Sequence, residues 1–193
     1  MKKSAIISFF LLSLPILLQA QLKVCSLRVE HCVNPSVVDV PNPRFSWVNE
    51  PKNERVKGQR QTAYRIVVAS SEEGLRKGKY DLWDSGRVLS DNSVLVPYGG
   101  QVLTSGQDCY WKVQTWDADG KCSKWSPTAY WGMGLLKADD WHAKWITARQ
   151  AQGAPLFRKA FTLDRKVKKA KVYVTAGGYF ELYANGQRVG EED

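Results

Sequence analysis

Apolar residues recur at every second position over short runs along most of the chain. Cys25, Leu27 and Val29 alternate with Ser26, Arg28 and Glu30, which predicts a strand with one buried face and one wet face. Phe45 and Trp47 project together from a second run, and Tyr64, Ile66 and Val68 alternate with Arg65 and Val67 in a third. Trp111 and Val113 alternate with Lys112 and Gln114 in a further strand, followed by the turn Asp117-Ala118-Asp119-Gly120 and a strand through Trp125. After residue 21, no stretch of eleven residues carries a sustained helical stripe. Gly, Pro, Asn and Asp punctuate the runs instead, so the chain reads as all-β and sandwich-like. Eight tryptophans fall mostly at strand periodicity, and that placement makes most of them expected core, each burying a large apolar area.

A second unit is expected from Lys137. Pro155–Phe161 reads as a strand with Phe157 and Phe161 on one side and Leu156 and Arg158 opposite. Val172 and Val174 lead through Gly177-Gly178 into Tyr179-Phe180-Glu181-Leu182-Tyr183, and Asn185-Gly186 is a strong hairpin signal. Phe180 and Leu182 share one face, and Tyr179, Glu181 and Tyr183 share the other.

The first twenty residues read as an address. Lys2 and Lys3 precede an apolar stretch from Ala5 to Leu18, interrupted by Ser8, Ser13 and Pro15, and Ala20 is the small residue before a cut. That is the layout of a secretory signal peptide, with an apolar run too short for a membrane span. Cleavage there starts the exported chain at Gln21 and places it in the periplasm or outside the cell. Leu22-Lys23-Val24-Cys25 offers the alternative of lipid anchoring through Cys25, for which Lys23 and Val24 are poor neighbours.

Charge adds little. The chain carries a net +9, and removing Lys2 and Lys3 leaves 26 basic against 19 acidic residues, or +7. The basic residues sit in Lys52–Arg60, Arg76–Lys79 and Arg165–Lys171, each broken by turn residues or valine. They read as solvated loops and strand faces, so no nucleic-acid partner is expected. Four cysteines do not pair readily. Along a strand, Cys25 and Cys32 can lie up to about 20 Å apart, against a limit near 7 Å. A hairpin at Asp117–Gly120 sets Cys122 near Thr115 or Trp116, away from Cys109. With no Cys-x-x-Cys, and only His31 and His142 as histidines, neither a metal nor any other cofactor is expected.

Two resemblances give these strands a context. Tyr110-Trp111-Lys112-Val113-Gln114-Thr115-Trp116-Asp117, then Gly120, Ser123, Trp125 and Ser126, resembles the last two strands of a fibronectin type III domain. Leu103 precedes Tyr110 by seven residues, one more than the usual tyrosine corner, so that hydrogen bond is not expected. Asn34-Pro35, Asp39 and Pro43-Arg44-Phe45-Ser46-Trp47 resemble the opening of bacterial α-L-rhamnosidases of glycoside hydrolase family 78. Gln61–Ser70, Asp81-Leu82-Trp83-Asp84-Ser85-Gly86, Met133-Gly134-Leu135-Leu136, Asp140-Trp141 and Lys144-Trp145-Ile146 continue the likeness in order. Physically these strings are ordinary: Trp47 and Tyr64 as core, Arg44 stacked over an aromatic ring, Gly86 freeing a turn.

That resemblance implies a signal peptide over 1–20, an immunoglobulin-like (fibronectin type III) sandwich over 21–136, and the truncated start of a jelly-roll accessory domain over 137–193. A sheet missing half its strands leaves unpaired edges. It also implies a parent enzyme that hydrolyses terminal α-L-rhamnosides with inversion, using two carboxylates on a downstream α/α toroid absent from this sequence. No catalytic residue is therefore expected in this chain. Asp39, Asp81, Asp84, Asp117 and Asp140 read as turn-capping groups. The partners implied are rhamnose-containing glycans or glycosides, met through the parent enzyme. Alternatives are a free-standing glycan-binding protein, with Tyr179 and Tyr183 stacking on sugar rings, and an adhesion module.

Overall fold

The apolar pattern at the start of the chain breaks period two once. Leu22, Val24, Leu27 and Val29 are all buried, so a spacing of three separates Val24 from Leu27. The backbone absorbs the extra residue at Ser26, whose φ is 51°. Strand β1 (Leu22–Val29) pairs antiparallel with β2 (Arg44–Pro51), and its register shifts between Cys25, opposite Val48, and Arg28, opposite Ser46. Ser26 and Leu27 thus share the single partner position of Trp47. A bulge of this kind returns the apolar set to the face it would otherwise leave. The expected grouping of Cys25 with Leu27 and Val29 is therefore corrected: Leu22 and Val24 complete that face, and Cys25 is half-buried with its thiol against the Val48 carbonyl.

The computed structural model describes residues 22–53, 55, 57–148, 153–167 and 169–190. Residues 1–20, expected to be a signal peptide, and Gln21 lie outside them. The chain divides into two compact units, one reaching Ala143 and one starting at Lys144.

The first unit is a two-sheet β-structure. One sheet has the order β1-β2-β6, with β6 at Val96–Pro97. The other centres on β3 (Ala63–Ala69) and β7 (Asp108–Trp116), with β4 (Trp83–Asp84) and β5 (Val88–Leu89) on the outer side of β3 and β8 (Ala129–Gly132) beyond β7. β3 and β7 pair antiparallel over seven positions, from Ala63 opposite Trp116 to Ala69 opposite Tyr110.

Between the sheets Phe45 is the hub of the core. Its ring lies 4.5 Å from Trp111, 5.3 Å from Trp131, 6.1 Å from Trp83 and 6.3 Å from Tyr98, centroid to centroid. Ile66, Val68 and Val113 fill the spaces around it. Only Trp47, Trp111 and Trp131 are fully buried, so the expectation that most tryptophans are core is corrected. Trp83, Trp116 and Trp125 are half-buried, and Trp141 and Trp145 are exposed.

β3 is buried on both faces because a short helix, α1 (Glu72–Arg76), covers its second face. Leu75 packs there with Val67 and Ala69. The Ser71 hydroxyl accepts from the Gly74 amide, capping a first turn that carries Glu72 and Glu73. The expected strand through Trp125 is also corrected. Residues 122–126 run beside β7, but the Ser123 and Ser126 hydroxyls accept from the Thr115 and Val113 amides where ladder carbonyls would stand. Their own amides donate to the Thr115 and Val113 carbonyls. The regular partner of β7 is β8, with Cys109 opposite Trp131. Cys122 bridges to Trp116, as the turn at Asp117–Gly120 predicts.

In the second unit the only ladder among the described residues is the hairpin of β9 (Leu182–Ala184) and β10 (Gln187–Val189). Asn185 and Gly186 have φ of 50° and 80°, the two positive values that the tight hairpin turn demands. The expected strand at Pro155–Phe161 is not formed among the described residues, which carry no ladder there. Phe157, Phe161, Val172, Val174 and Phe180 are exposed. No helix among the described residues is long and apolar enough to cross a membrane.

Candidate functional site

The hairpin gathers the two tyrosines singled out by sequence. Tyr183 stands opposite Arg188 across the ladder, and Glu181 and Tyr179 lie two and four residues back along the same alternation. Tyr183 donates its hydroxyl to Glu181 Oε2 at 2.7 Å, and Tyr179 donates to Oε1 at 3.0 Å. Arg188 Nη2 lies 3.4 Å from the Tyr179 hydroxyl and 3.7 Å from Glu181 Oε1. Hydrogen bonds from Tyr183 first and Tyr179 second hold the Glu181 carboxyl below its ordinary range, and the same carboxylate pushes the Tyr183 phenol up.

Chemically this is a platform. Glu181 is held ionised, so it is not poised to protonate a leaving group at neutral pH. Tyr179 is 84% exposed and Tyr183 53% exposed, while their hydroxyls are fixed on Glu181. Sequence reasoning found the tyrosines but not Glu181 or Arg188 as their partners. The signal was the alternation at 179, 181 and 183 together with the Asn185-Gly186 register, which brings Arg188 opposite Tyr183.

The carboxylates of the first unit are structural. Asp81 accepts from the Ser70 amide at 3.0 Å and the Ser70 hydroxyl at 2.5 Å. Burial pushes its carboxyl up, but those Ser70 bonds outweigh it and hold the group low. Asp84 takes Arg65 in a two-point contact of 2.9 and 2.6 Å and accepts from the Gly86 amide, and Arg65 keeps its carboxyl low. Gly86 itself has a φ of 61°. Asp117 is buried and accepts from the Asp119 and Lys121 amides, closing the turn that leads back from β7. Asp140 accepts from the Ser105 hydroxyl and the Lys137 amide. Asp39 is exposed after Val38, whose amide and carbonyl tie to Gly132 and Gly134.

The outer face of the larger sheet carries layered cations and rings. Lys112 Nζ stands 4.9 Å from the Trp125 ring and 5.6 Å from that of Tyr80. Arg65 lies 5.9 Å from Trp125 on the same sheet, and Arg87 lies 4.9 Å from Trp116. These stacks explain why Trp116 and Trp125 are only half-buried: cationic stems and heads cover them instead of core. Sequence reasoning assigned such a stack to Arg44, and that is corrected. Arg44 grips the Glu30 carboxylate with Nε and Nη2, at 3.0 and 2.6 Å. At Arg44 the charged, two-point hydrogen bond to Glu30 takes the place of the expected ring stack.

The four cysteines form no disulfide with one another: Cys109 is buried, Cys25 and Cys122 are half-buried and Cys32 is exposed. Burial pushes the thiols of Cys25 and Cys122 up, which disfavours their thiolates. Among the described residues no group of three or more His, Cys, Asp or Glu is arranged to hold a metal ion.

Comparison with known proteins gives the fold a family context. The family description of Rha78A-like N-terminal immunoglobulin domains matches residues 24–137. An α-L-rhamnosidase of Streptomyces avermitilis is 36% identical over 197 residues, covering 89% of this chain and 19% of that protein. The crystal structure of a Streptomyces avermitilis α-L-rhamnosidase complexed with L-rhamnose superposes with a TM-score of 0.61 at 46% identity, over 66% of this chain and 12% of that one. An α-L-rhamnosidase structure from Dictyoglumus thermophilum gives a TM-score of 0.62 at 36% identity, over 66% of this chain and 14% of that one. The chain thus spans about a fifth of the length of the curated relatives it matches.

Proposed function

Because this chain belongs to the Rha78A-like family through its N-terminal immunoglobulin domain, we propose that it is the N-terminal accessory region of an exported α-L-rhamnosidase acting on terminal α-L-rhamnosides. The carrying observation is the extent of the likeness: it runs along 89% of this chain yet only about a fifth of a rhamnosidase's length, in a region described as an N-terminal domain. Inverting glycoside hydrolysis needs an acid and a base roughly 6.5–9.5 Å apart on either side of the sugar. The carboxylates described above are committed to turns and to Arg65, Arg44 and tyrosine partners, so the reading puts the catalytic pair elsewhere in the parent enzyme. The two-sheet domain then serves as a rigid N-terminal brace, and Tyr179 and Tyr183 offer ring faces on which a sugar stacks.

The test is to assay rhamnose release from an aryl α-L-rhamnoside by this chain and by the product of the coding sequence extended past codon 193. Release by the extended protein and none by residues 21–193 is the expected result. Turnover that follows residues 21–193 through purification overturns the accessory assignment. An extended protein without rhamnosidase activity overturns the enzyme assignment.

A further inference from the structure

We propose that Asn185 is a site of hydrolytic deamidation, and that its isoaspartyl product dismantles the hairpin pairing Tyr183 with Arg188. The reaction needs an asparagine whose side-chain carbonyl carbon can be reached by the amide nitrogen of the next residue. Of the six asparagines, Asn34 and Asn42 precede proline, which has no N–H to attack with. Asn49 and Asn53 precede glutamates and Asn92 precedes a serine, so a side chain on the attacking residue crowds ring closure. Their own amides are also held. Asn49 lies between Gln61 and Thr115, and Asn53 and Asn92 accept from the Arg55 and Val94 amides. Asn185 alone precedes glycine. Both residues of that turn are exposed, and apart from chain neighbours no atom lies within 4 Å of where a Gly186 Cβ would stand.

The step balances on these two residues and water. The Gly186 amide nitrogen loses its proton to hydroxide and bonds to Asn185 Cγ. The Cγ–Nδ2 bond breaks, and ammonia leaves with a proton from water. Water then opens the five-membered imide at either carbonyl, and nothing is oxidised or reduced. Opening at Cγ gives aspartate; opening at the main-chain carbonyl gives isoaspartate, with the backbone routed through Cβ and Cγ. The fold governs both the rate and the outcome. In the closed turn, the mirror image of type I, ψ of Asn185 is about +30°, and ring closure requires the Gly186 nitrogen to swing round toward Cγ. The turn must open first, and a ladder of two three-residue strands opens easily. Aspartate tolerates a left-handed φ and keeps the turn. Isoaspartate lengthens the backbone of a two-residue loop and breaks the register that sets Tyr183 opposite Arg188. Arg188 then leaves the Tyr179 hydroxyl and Glu181. No step depends on what the tyrosine rings bind.

The test incubates the whole chain in mildly alkaline and mildly acidic buffer and follows the replacement of NH by O in its tryptic peptides by mass spectrometry. The peptide 172–188, which carries Asn185, converts at least about tenfold faster than the peptide 88–112, which carries Asn92, because only glycine leaves the attacking nitrogen unshielded. Conversion is faster in the alkaline buffer, and the product accepts methyl groups from protein L-isoaspartate methyltransferase. Denaturing urea speeds conversion of Asn185 by about threefold or more, since the hairpin no longer has to open. The Asn185→Asp variant carries the same added charge without the longer backbone. Amide hydrogen exchange across 182–189 is about threefold or more faster in the isoaspartyl form than in that variant. The proposal is overturned if Asn92 converts as fast as Asn185, if no isoaspartate forms, if urea leaves the rate unchanged, or if the isoaspartyl form and Asn185→Asp exchange alike. Rhamnose release by the extended protein bears on none of these outcomes.

Discussion

Trp47 donates its indole N–H to the side-chain oxygen of Gln61 at 3.0 Å, inside the sandwich. The same oxygen accepts from Asn49 at 2.9 Å, while the Gln61 amide nitrogen donates to the Ser90 and Asn92 carbonyls at 3.0 and 2.9 Å. Asn49 Oδ1 in turn accepts from the Thr115 hydroxyl of β7. One amide with all four of its hydrogen-bonding positions filled therefore joins β2, the loop after β5 and, through Asn49, the opposite sheet.

Gln61→Met keeps the volume and removes every bond. It leaves the buried Trp47 N–H without a partner, at roughly 1–3 kcal/mol, and gives up the bonds to Asn49 and to the less buried Ser90 and Asn92 carbonyls. A loss of about 2–4 kcal/mol in urea melts is the expected outcome. Trp47→Ala removes the ring as well and is expected to cost about 3–5 kcal/mol through the cavity it leaves. Losses under about 1 kcal/mol in either variant show that the junction contributes little.

The bulge in β1 makes an unusual deletion tolerable. Ser26 is the extra residue, and without it Leu22, Val24, Leu27 and Val29 fall on strict period two with Leu27 alone opposite Trp47. Removing Ser26 also removes a left-handed residue that itself costs roughly 1–2 kcal/mol. The chain lacking Ser26 is expected to fold with stability within about 2 kcal/mol of the parent. Deleting Lys23, in the regular part of the strand, turns Leu22 outward and is expected to cost more. The same measurement, thermal or urea unfolding of the pair, decides it: equal losses show that the bulge does not set the face.

This bulge marks where the sequence was legible and where it was not. Period two located β2, β3 and β7 and named Phe45, Trp47, Ile66, Trp111 and Val113 as inward. It misplaced Cys25 because alternation alone carries no signal for a slipped residue, and Ser26 is not the glycine that would advertise a positive φ. Helix α1 is too short to show a stripe, although Ser71 followed by Glu72 and Glu73 is a capping signal. Trp125 was placed on a strand because its neighbours look like one. The hydroxyls of Ser123 and Ser126, taking the place of carbonyls, are visible only in three dimensions. At the candidate site the tyrosines stood out as exposed aromatics, whereas Glu181 and Arg188 matter only through the register of the hairpin.

Acid should loosen the β1–β2 corner. The Arg44 guanidinium holds the Glu30 carboxyl below its ordinary value, against the opposing pull of burial, and Glu30 also accepts from the Arg44 amide at 2.7 Å. A carboxylate whose folded-state pKa is depressed adds stability that is complete above its unfolded value, near 4.3, and that fades as pH falls through the lower folded value. Glu30→Gln is therefore expected to reduce stability at pH 7 while leaving it nearly unchanged at the acid end. The difference between urea midpoints at pH 7 and pH 3 shrinks in the variant. An undiminished difference assigns the acid sensitivity to Asp81 and Asp84 instead, whose carboxyls are also held low.

Protease sensitivity should follow the ladders. Within the first unit the described strands are held in two sheets and by cross-ties such as Val38 to Gly132 and Gly134, and the short helical turn at Ala138–Asp140 is anchored by Asp140 on Ser105. In the second unit a hairpin of two three-residue strands is the only ladder among the described residues, and such a hairpin is marginal alone. Arg158, Lys159, Arg165 and Lys166 are exposed and outside any strand. Cleavage requires local opening of the backbone into the protease, and opening is cheapest where no cross-strand hydrogen bonds must break. Trypsin is expected to cut first at these four residues, leaving a resistant core that ends between Lys137 and Lys144. If Arg158 to Lys166 survives as long as that core does, the strand that sequence periodicity assigned to Pro155–Phe161 forms in solution after all, and the second unit has a sheet of its own.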